Sequence, residues 1–496
     1  MSKSRLLLGI DLGSSATKAI LLDANLGIVA TASRETTLHS IHTGWAEADP
    51  RDWWKNVTEL VPELLLHAGS QASDVVGIAC SGMVPAVLCL DEDRKPIRYA
   101  ILQNDARAHR EIAELRELLT DVDLLSLTGS VLTQQSVAPT ALWLARNEPE
   151  VWSRTKYLVG SYDWLAMALG ATGHVERNWA IESGVHNFDG TPIEAVLSAT
   201  GITWPVLQPV RDPGANVDGL SSEAASALGL REETPIIVGG ADHVLSAFGA
   251  GLIEAGDWLI KLGGAGDVLA VSDARFFDAR LYLDAHAIPG KWLPNGCMAT
   301  SGSVLRWEQS ILGGIDLAIL DSEAEVAKPA TLLTLPYFLG EKSPLHDPDL
   351  RGAIIGLHLG TTRGDLHRAF LESIAYGFRQ HMEIFTSRGM SLNSPRVTNG
   401  GSTSTLWKRI LADILGVSLT PILGHPGASL GAAVIAGIGV GEISTWDKVN
   451  DFVSLGDPIE PDVANRALYN ERYENFLEFQ AVSSGTSHAL AKSGRS

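Results

Sequence analysis

The fold is decided by Gly9-Ile10-Asp11-Leu12-Gly13-Ser14-Ser15-Ala16-Thr17-Lys18, a polar stretch that lies between two apolar runs. This pattern predicts two short buried strands joined by a tight turn. Gly13 lets the backbone approach a ligand, and Ser14 and Ser15 add hydroxyls to turn amides that can bind an anion. Asp11 can hold Mg²⁺, and Lys18 can bring positive charge to a phosphoryl group. The alternative is a plain hairpin with solvated charges.

A second stretch, Trp258 to Val271, has the same form: an apolar strand, a turn containing Gly263 and Gly264, and another apolar strand. Two candidate phosphate hairpins about half a chain apart predict two similar lobes with a nucleotide between them. The chain has no G-x-x-x-x-G-K-[ST] loop and no G-x-G-x-x-G in its first strand–helix unit, which disfavours P-loop and Rossmann chemistry.

Length and composition restrict the class of protein further. The chain has 496 residues, 45% of them hydrophobic and 19% charged, which indicates a globular protein of two large domains. Its net charge of -20 argues against nucleic acid or an anionic membrane as partner. Three cysteines without metal-ligand spacing, and no apolar run long enough to span a bilayer, favour a cytoplasmic protein.

The segment Pro235-Ile236-Ile237-Val238-Gly239-Gly240-Ala241-Asp242-His243 predicts a strand that ends in a glycine turn and an acidic residue. Asp242 suits a general base that takes a proton from a substrate hydroxyl. His243 is a rival base because its ordinary pKa lies closer to neutrality. Asp242 as a mere helix N-cap is a third possibility.

Polar and small residues at three other places in the chain indicate binding surfaces. Met83 and Val84 follow the buried strand 75–80 and form a candidate substrate wall. Asn104 and Asp105 either hydrogen-bond a polyol or cap the next helix. Gly400-Gly401 ends a strand before a helix, leaving flat backbone against which a purine can stack.

Local signals also predict individual elements. Asp49-Pro50 begins a helix, and amphipathic spacing predicts helices over about 363–385 and 406–415. The Ser/Gly/Ala-rich residues 483–496 predict a flexible tail.

Taken together, these motifs resemble those of the FGGY carbohydrate kinases of the actin/hexokinase/Hsp70 superfamily, and most closely those of the xylulokinase-type pentulose kinases. The resemblance rests on the order and spacing of segments along nearly the whole chain: Gly9–Ser15, Gly44–Glu47, Asn104–Arg107, Gly239–His243, Leu262–Gly266, Pro336–Pro344, Asn399–Ser402 and Gly427–Ala433.

The resemblance implies an α/β fold of two ribonuclease-H-like (actin-like ATPase) domains with a catalytic cleft between them. Residues 1–246 would bind sugar and carry the catalytic base, and residues 247–482 would bind ATP. Asp242 is implied as catalytic base and as a contact to the sugar together with His243, Asp11 as the Mg²⁺ ligand, and Gly400, Gly401 and Ser402 as the adenosine motif. Homodimers are frequent in the family, so a homodimer is one expectation.

The chain departs from the family at the sugar wall, where Val84 replaces an expected histidine. The implied reaction is transfer of the γ-phosphoryl group of ATP to a hydroxyl of a small ketose, with D-xylulose or a related pentulose foremost. The Val84 difference leaves ribulose, erythritol and glycerol open as acceptors. A non-catalytic nucleotide-binding sensor on the same fold also stays open.

Overall fold

The computed structural model describes residues 5–42, 44–203 and 206–493. The first half of the chain forms a mixed α/β domain. Its strands are β1 Leu6–Leu12, β2 Ala16–Asp23, β3 Gly27–Glu35, β4 Glu47–Ala48, β5 Val75–Gly82, β6 Leu88–Leu90, β7 Ala100–Ile101, β8 Tyr157–Val159, β9 Val175–Glu176, β10 Val210–Arg211, β11 Asn216–Gly219 and β12 Pro235–Ala241. Its helices are α1 Pro50–Ala68, α2 His109–Leu118, α3 Leu124–Thr128, α4 Val137–Asn147, α5 Pro149–Arg154, α6 Ser161–Leu169, α7 Arg177–Glu182, α8 Glu194–Thr200, α9 Ser222–Leu228 and α10 Asp242–Gly249.

The main sheet of this domain has the strand order β11-β12-β5-β1-β2-β3. Strand β1 pairs antiparallel with β2 and parallel with β5, and β5 pairs parallel with β12. The carboxyl ends of β1, β5 and β12 therefore lie at one edge, where Asp11 is in register with Ser81 and Gly82 with Ala241. This edge places Asp242, the residue after β12, near Asp11.

The second half of the chain repeats this arrangement. Its strands are β13 Trp258–Leu262, β14 Gly266–Ala270, β15 Tyr282–Ala285, β16 Trp292–Met298, β17 Leu333–Leu335, β18 Ala353–Ile355, β19 Arg396–Thr398, β20 Thr420–Leu423 and β21 Ser454–Leu455. Its helices are α11 Gly302–Ile311, α12 Leu317–Val326, α13 Arg363–Ser387, α14 Thr405–Leu415, α15 Ala428–Gly439 and α16 Arg466–Ser493. The sheet order is β15-β16-β14-β13-β19-β20-β21, in which hairpin β13–β14 has the parallel neighbour β19.

Helix α15 joins the two halves, because it belongs to the second half of the sequence but packs into the core of the first domain. A Cβ atom on Gly9 of β1 would lie 2.1 Å from the Ser429 carbonyl oxygen, so this strand and α15 are in backbone contact. Helix α15 also crosses α10 closely, since a Cβ atom on Gly431 would lie 2.3 Å from the Leu245 carbonyl oxygen. The helix that begins at Asp242 is therefore held from both domains.

The local predictions for helices are confirmed at α1, α13 and α14. Asp49 caps α1 by accepting a hydrogen bond from the Arg51 amide, and Pro50 occupies the first turn. The prediction of a flexible tail from residue 483 is wrong for the part that the structure describes, because α16 continues to Ser493 with Ser487 and Ala491 buried. Residues 494–496 lie outside the described residues. Within the described ranges, no helix has the length and apolarity that crossing a bilayer requires.

Candidate active site

Two carboxylates face each other at the edge where β1, β5 and β12 end. Burial and then the negative charge of Asp242 raise the pKa of Asp11, while Lys18 and Lys261 act in the opposite direction, and the net result is a pKa of about 7. The Asp11 side chain is almost fully buried, whereas that of Asp242 is 34% exposed and thus accessible from the cleft. The residues predicted as base and as metal ligand are brought together here.

The turn between β1 and β2 places its polar atoms at the surface. The Gly13 amide donates to the Ala16 carbonyl over 3.1 Å, and Ser14 and Ser15 are exposed at the tip. Lys18 pairs across the hairpin with Asp11 and is also exposed. The predicted anion-binding turn is thus open to a ligand, with one cation beside it.

Asp11 is a suitable ligand for a divalent cation. Its Oδ1 atom is buried and has no hydrogen-bond partner. A buried carboxylate oxygen without a donor is costly, and carboxylate oxygens are ligands that Mg²⁺ prefers. The residue therefore fits the Mg²⁺ ion that the family resemblance implies at this position.

Asp242 is the first residue of α10, and Ala241 occupies the N-cap position before it. The Asp242 Oδ1 atom accepts a hydrogen bond from the backbone amide of His243 over 2.7 Å. The N-cap interpretation of Asp242 is thus not what the structure has. Its carboxylate begins the helix and borders the cleft.

His243 is held as a cation rather than as a free base. Its Nε2 atom lies 2.9 Å from Asp284 Oδ2, and its Nδ1 atom lies 3.6 Å from Asp242 Oδ1. Burial lowers the pKa of His243, but the neighbouring carboxylates outweigh burial and raise this pKa well above its ordinary value. An imidazolium has no lone pair to accept a proton, which disfavours His243 as the general base.

The second glycine hairpin is fixed from behind by the start of α11. The Gly263 carbonyl accepts from the Gly302 amide over 2.8 Å, and the Gly264 carbonyl accepts from the amides of Ser301 and Ser303 over 2.7 and 3.1 Å. The hairpin backbone is therefore rigid.

Lys261, on β13 just before this hairpin, is a site residue that sequence reasoning missed. Its Nζ atom lies 3.3 Å from Asp267 Oδ2, and its side chain is 15% exposed. Burial disfavours its charge, but Asp267 and then Asp242 raise its pKa. The same lysine lowers the pKa of Asp11. The second domain thus presents a cation to both carboxylates of the first.

The predicted purine-stacking turn lies beside this hairpin, because Thr398 at the end of β19 is in register with Lys261. Asn399 has a φ of 73°, and the 3₁₀ turn Gly400–Thr403 follows it. A Cβ atom on Gly401 would lie 2.3 Å from the Trp407 ring, whereas one on Gly400 would meet nothing within 4 Å. Gly400 thus leaves open backbone, while the Ser402 hydroxyl donates to the Asn399 carbonyl within the turn over 2.6 Å.

The predicted sugar wall is buried and anchored. Met83 is 0% and Val84 4% exposed, and the Ser161 hydroxyl donates to the Met83 carbonyl over 3.0 Å. The Met83 amide donates to the Leu12 carbonyl over 3.2 Å, which ties the wall to the first hairpin. The Val84 side chain offers no hydrogen bond where a histidine would.

Asn104 and Asp105 have different environments. Asn104 is exposed in a turn. Asp105 is 6% exposed, and its oxygens accept hydrogen bonds from Arg107 Nε and Nη2 over 2.8 and 2.7 Å, and from the Ala46 amide over 2.6 Å. The Arg107 guanidinium in turn lies 3.7 Å from the centre of the Trp45 ring. Asp105 therefore holds loops of the first domain together through its own hydrogen bonds.

Among the described residues, one group of three side chains has the geometry to hold a metal ion: Glu182, His243 and Asp284, whose ligand atoms all lie within 4.8 Å of one another. Glu182 and Asp284 were not predicted, since each is distant in sequence from every motif.

Comparison with known proteins identifies the family. Models for the N-terminal and C-terminal domains of the FGGY family of carbohydrate kinases match residues 6–249 and 269–440. The chain belongs to the FGGY family of carbohydrate kinases. It is therefore an enzyme that uses ATP to phosphorylate a small sugar, and both the predicted family and the predicted two-domain α/β fold are confirmed.

Several relatives match this kinase over nearly its whole length. The crystal structure of xylulose kinase from Rhodospirillum rubrum is 39% identical, with a TM-score of 0.90, and covers 98% of this chain and 100% of that one. Xylulose kinase from Staphylococcus epidermidis is 29% identical over 94% of each chain. Gluconokinase from Bacillus subtilis is 25% identical over 90% of each chain.

Proposed function

We propose that this kinase transfers the γ-phosphoryl group of ATP to a hydroxyl of a small ketose, D-xylulose or a related pentulose. The proposal rests on one observation: the carboxylates of Asp11 and Asp242 interact electrostatically with the cations of Lys18 and Lys261, beside the glycine hairpins of both domains. The similarity to xylulose kinases from two organisms supports the ketose as acceptor. The net charge of -20 supports a small molecule rather than a nucleic acid as partner.

We propose that residues 1–246 bind the sugar and that residues 247–482 bind ATP. The phosphates would lie between the turn of Gly13, Ser14 and Ser15 and that of Gly263 and Gly264, and the adenosine would lie against Gly400, Gly401 and Ser402. Met83, Val84, Asn104, Asp242 and His243 would border the sugar. Asp105 would position these loops through Arg107 rather than hydrogen-bond the sugar, because its oxygens already accept from Arg107 and Ala46.

The chemical step follows from this placement. As the sugar oxygen forms its bond to the γ-phosphorus, its proton passes to the Asp242 carboxylate, and the bond to the β–γ bridging oxygen breaks to release ADP. Lys18 and Lys261 stabilise the negative charge that spreads over the transferred group. Asp11 would hold Mg²⁺, which neutralises charge on the phosphate oxygens when bound.

Other acceptors are possible because the sugar wall has Val84, which cannot form a hydrogen bond, in place of a histidine. A site that lacks a polar partner loses its preference for the hydroxyl that the partner would bind. Ribulose, erythritol and glycerol are therefore alternatives within the same reaction class.

The test is a panel of ketopentoses, tetritols and glycerol, with ADP release followed by a coupled assay and the product verified by its mass. We expect ADP release that depends on acceptor, with a ketopentose giving the highest kcat/KM. A broad panel without any acceptor-dependent release would contradict the proposal and favour a nucleotide-binding sensor on this fold.

A further inference from the structure

Beside the proposed base lies a group of side chains that the reaction scheme above does not use. The acceptor cluster, as we call it, consists of Glu182 at the end of α7, His243 in α10 and Asp284 in β15. His243 Nε2 lies 2.9 Å from Asp284 Oδ2 and 3.9 Å from Glu182 Oε1. The cluster adjoins Asp242, whose Oδ1 atom lies 3.6 Å from His243 Nδ1. The three side chains therefore lie directly beside the proposed base.

One oxygen of the cluster is fixed by a hydrogen bond from Asn295, whereas two other oxygens have no hydrogen-bond partner. Asn295 Nδ2 donates to Asp284 Oδ2 over 2.7 Å, which fixes that carboxylate. The other oxygen, Asp284 Oδ1, has no hydrogen-bond partner although Asp284 is only 1% exposed, and Glu182 Oε1 has none either. Buried polar atoms without partners are rare and costly. Two such acceptor atoms beside a catalytic base indicate that donors arrive with a bound molecule.

The charge of the cluster limits what that molecule can be. Its one cation, His243, is already paired with Asp284. Asp242 adds a further carboxylate at the same place. The charged acids at this place are Asp284 and Asp242, because burial and the charge of Asp284 raise the pKa of Glu182 well above its ordinary value. A sugar hydroxyl can donate to their oxygens, whereas the carboxylate of a sugar acid offers no donor and meets these like charges in a site with little water.

We propose, on the basis of the kinase activity proposed above, that Glu182, His243 and Asp284 select a neutral polyhydroxy acceptor and reject aldonates. The cluster would accept hydrogen bonds from hydroxyls of the acceptor, which the Val84 side chain cannot do. Specificity of this kind combines favourable contacts to one class with repulsion of the other.

The test is the ratio of kcat/KM for a neutral acceptor to kcat/KM for an aldonate. D-xylulose, D-ribulose and erythritol would be compared with D-gluconate and D-xylonate, in wild-type enzyme and in Glu182→Gln and Asp284→Asn. We expect a preference of at least about 100-fold for the best neutral acceptor in the wild type. Asp284→Asn should reduce this preference by about 10- to 100-fold, because neutral acceptors lose a charged hydrogen bond and aldonates lose a repulsion. Glu182→Gln should reduce it less, because Glu182 contributes hydrogen bonds rather than charge.

Glu223→Gln is the matched control, since Glu223 is exposed on α9; it should leave the preference unchanged. The ratio is insensitive to partial unfolding, because the folded fraction cancels from it. An aldonate as preferred acceptor, or an unchanged ratio in both cluster variants, would overturn the proposal while leaving the kinase activity intact.

If no acceptor is phosphorylated at all, the proposed kinase activity fails separately. Calorimetric titration of D-xylulose and D-gluconate into wild-type enzyme and Asp284→Asn then decides the role of the cluster. Xylulose binding that the substitution weakens supports the cluster as the acceptor wall. Equal affinity of wild type and variant, or preferential binding of gluconate, overturns it.

Discussion

The crossing of α10 and α15 should tolerate no side chain at Gly431. A Cβ atom there would lie 2.3 Å from the Leu245 carbonyl oxygen, whereas ordinary contact begins near 3.4 Å, so the backbones must separate by about 1.1 Å. Overpacking of this kind costs about 1–3 kcal/mol. Because Leu245 is in the helix that begins at Asp242, the displacement should also reach the base, and a shift of about 1 Å can cost about 100-fold in rate.

The matched control is Gly485→Ala, since Gly485 is also helical but a Cβ atom there would meet nothing within 4 Å. Both substitutions gain about 1 kcal/mol of helix propensity, which cancels between them. Urea unfolding should therefore give Gly431→Ala a free energy of unfolding about 1–3 kcal/mol below that of Gly485→Ala, and only the former should lose kcat/KM. Equal stability of the two variants, with wild-type kinetics in both, would refute the close crossing.

Substitutions at three further positions test separate parts of the structure. Burial disfavours the charge of His367, but hydrogen bonds to Asp321 and Glu308 raise its pKa to about 9. The protonated side chain should therefore contribute about 3 kcal/mol to the free energy of unfolding. This contribution is full below pH 6.5 and disappears as the pH rises through 9. Calorimetry of His367→Gln should thus show a larger loss of Tm at pH 6 than at pH 9.5; a loss that does not vary with pH would contradict the pairing. Gly401→Ala should raise KM for ATP about tenfold or more, since its Cβ atom would lie 2.3 Å from an indole ring, and unchanged ATP kinetics would argue against a nucleotide at this turn. Lys261→Met should lower kcat by about 10²–10³ while Lys261→Arg retains part of it; wild-type kcat in Lys261→Met would remove this lysine from the reaction.

The elements that the sequence predicted well are those whose signals are local. A cap and a proline mark the start of α1, amphipathic spacing marks α13, and glycine turns between apolar runs mark both hairpins. Asp242 is proposed as the base from the sequence because it follows a strand and a glycine turn without interruption. Neighbouring residues in the chain supply the whole signal in each case.

The parts that escaped prediction depend on contacts between distant segments. Glu182 and Asp284 meet His243 only because α7, α10 and β15 converge, and nothing near either acid in the sequence marks it. Helix α15 packs into the first domain although its sequence position assigns it to the second. The end of α16 was mistaken for a flexible tail because composition predicts local preference, whereas the burial of Ala491 shows tertiary packing that overrides it.

The most direct test of the central claim compares wild-type enzyme with Asp242→Asn, a substitution that preserves shape and removes the proton acceptor. We predict that kcat with the best sugar acceptor falls by about 10²–10⁴. The Kd for ATP, measured by calorimetry on the same preparation, should stay within about twofold, because binding of the nucleotide does not need this base. Turnover of the sugar at a near wild-type rate in Asp242→Asn would contradict the claim that this carboxylate takes the hydroxyl proton.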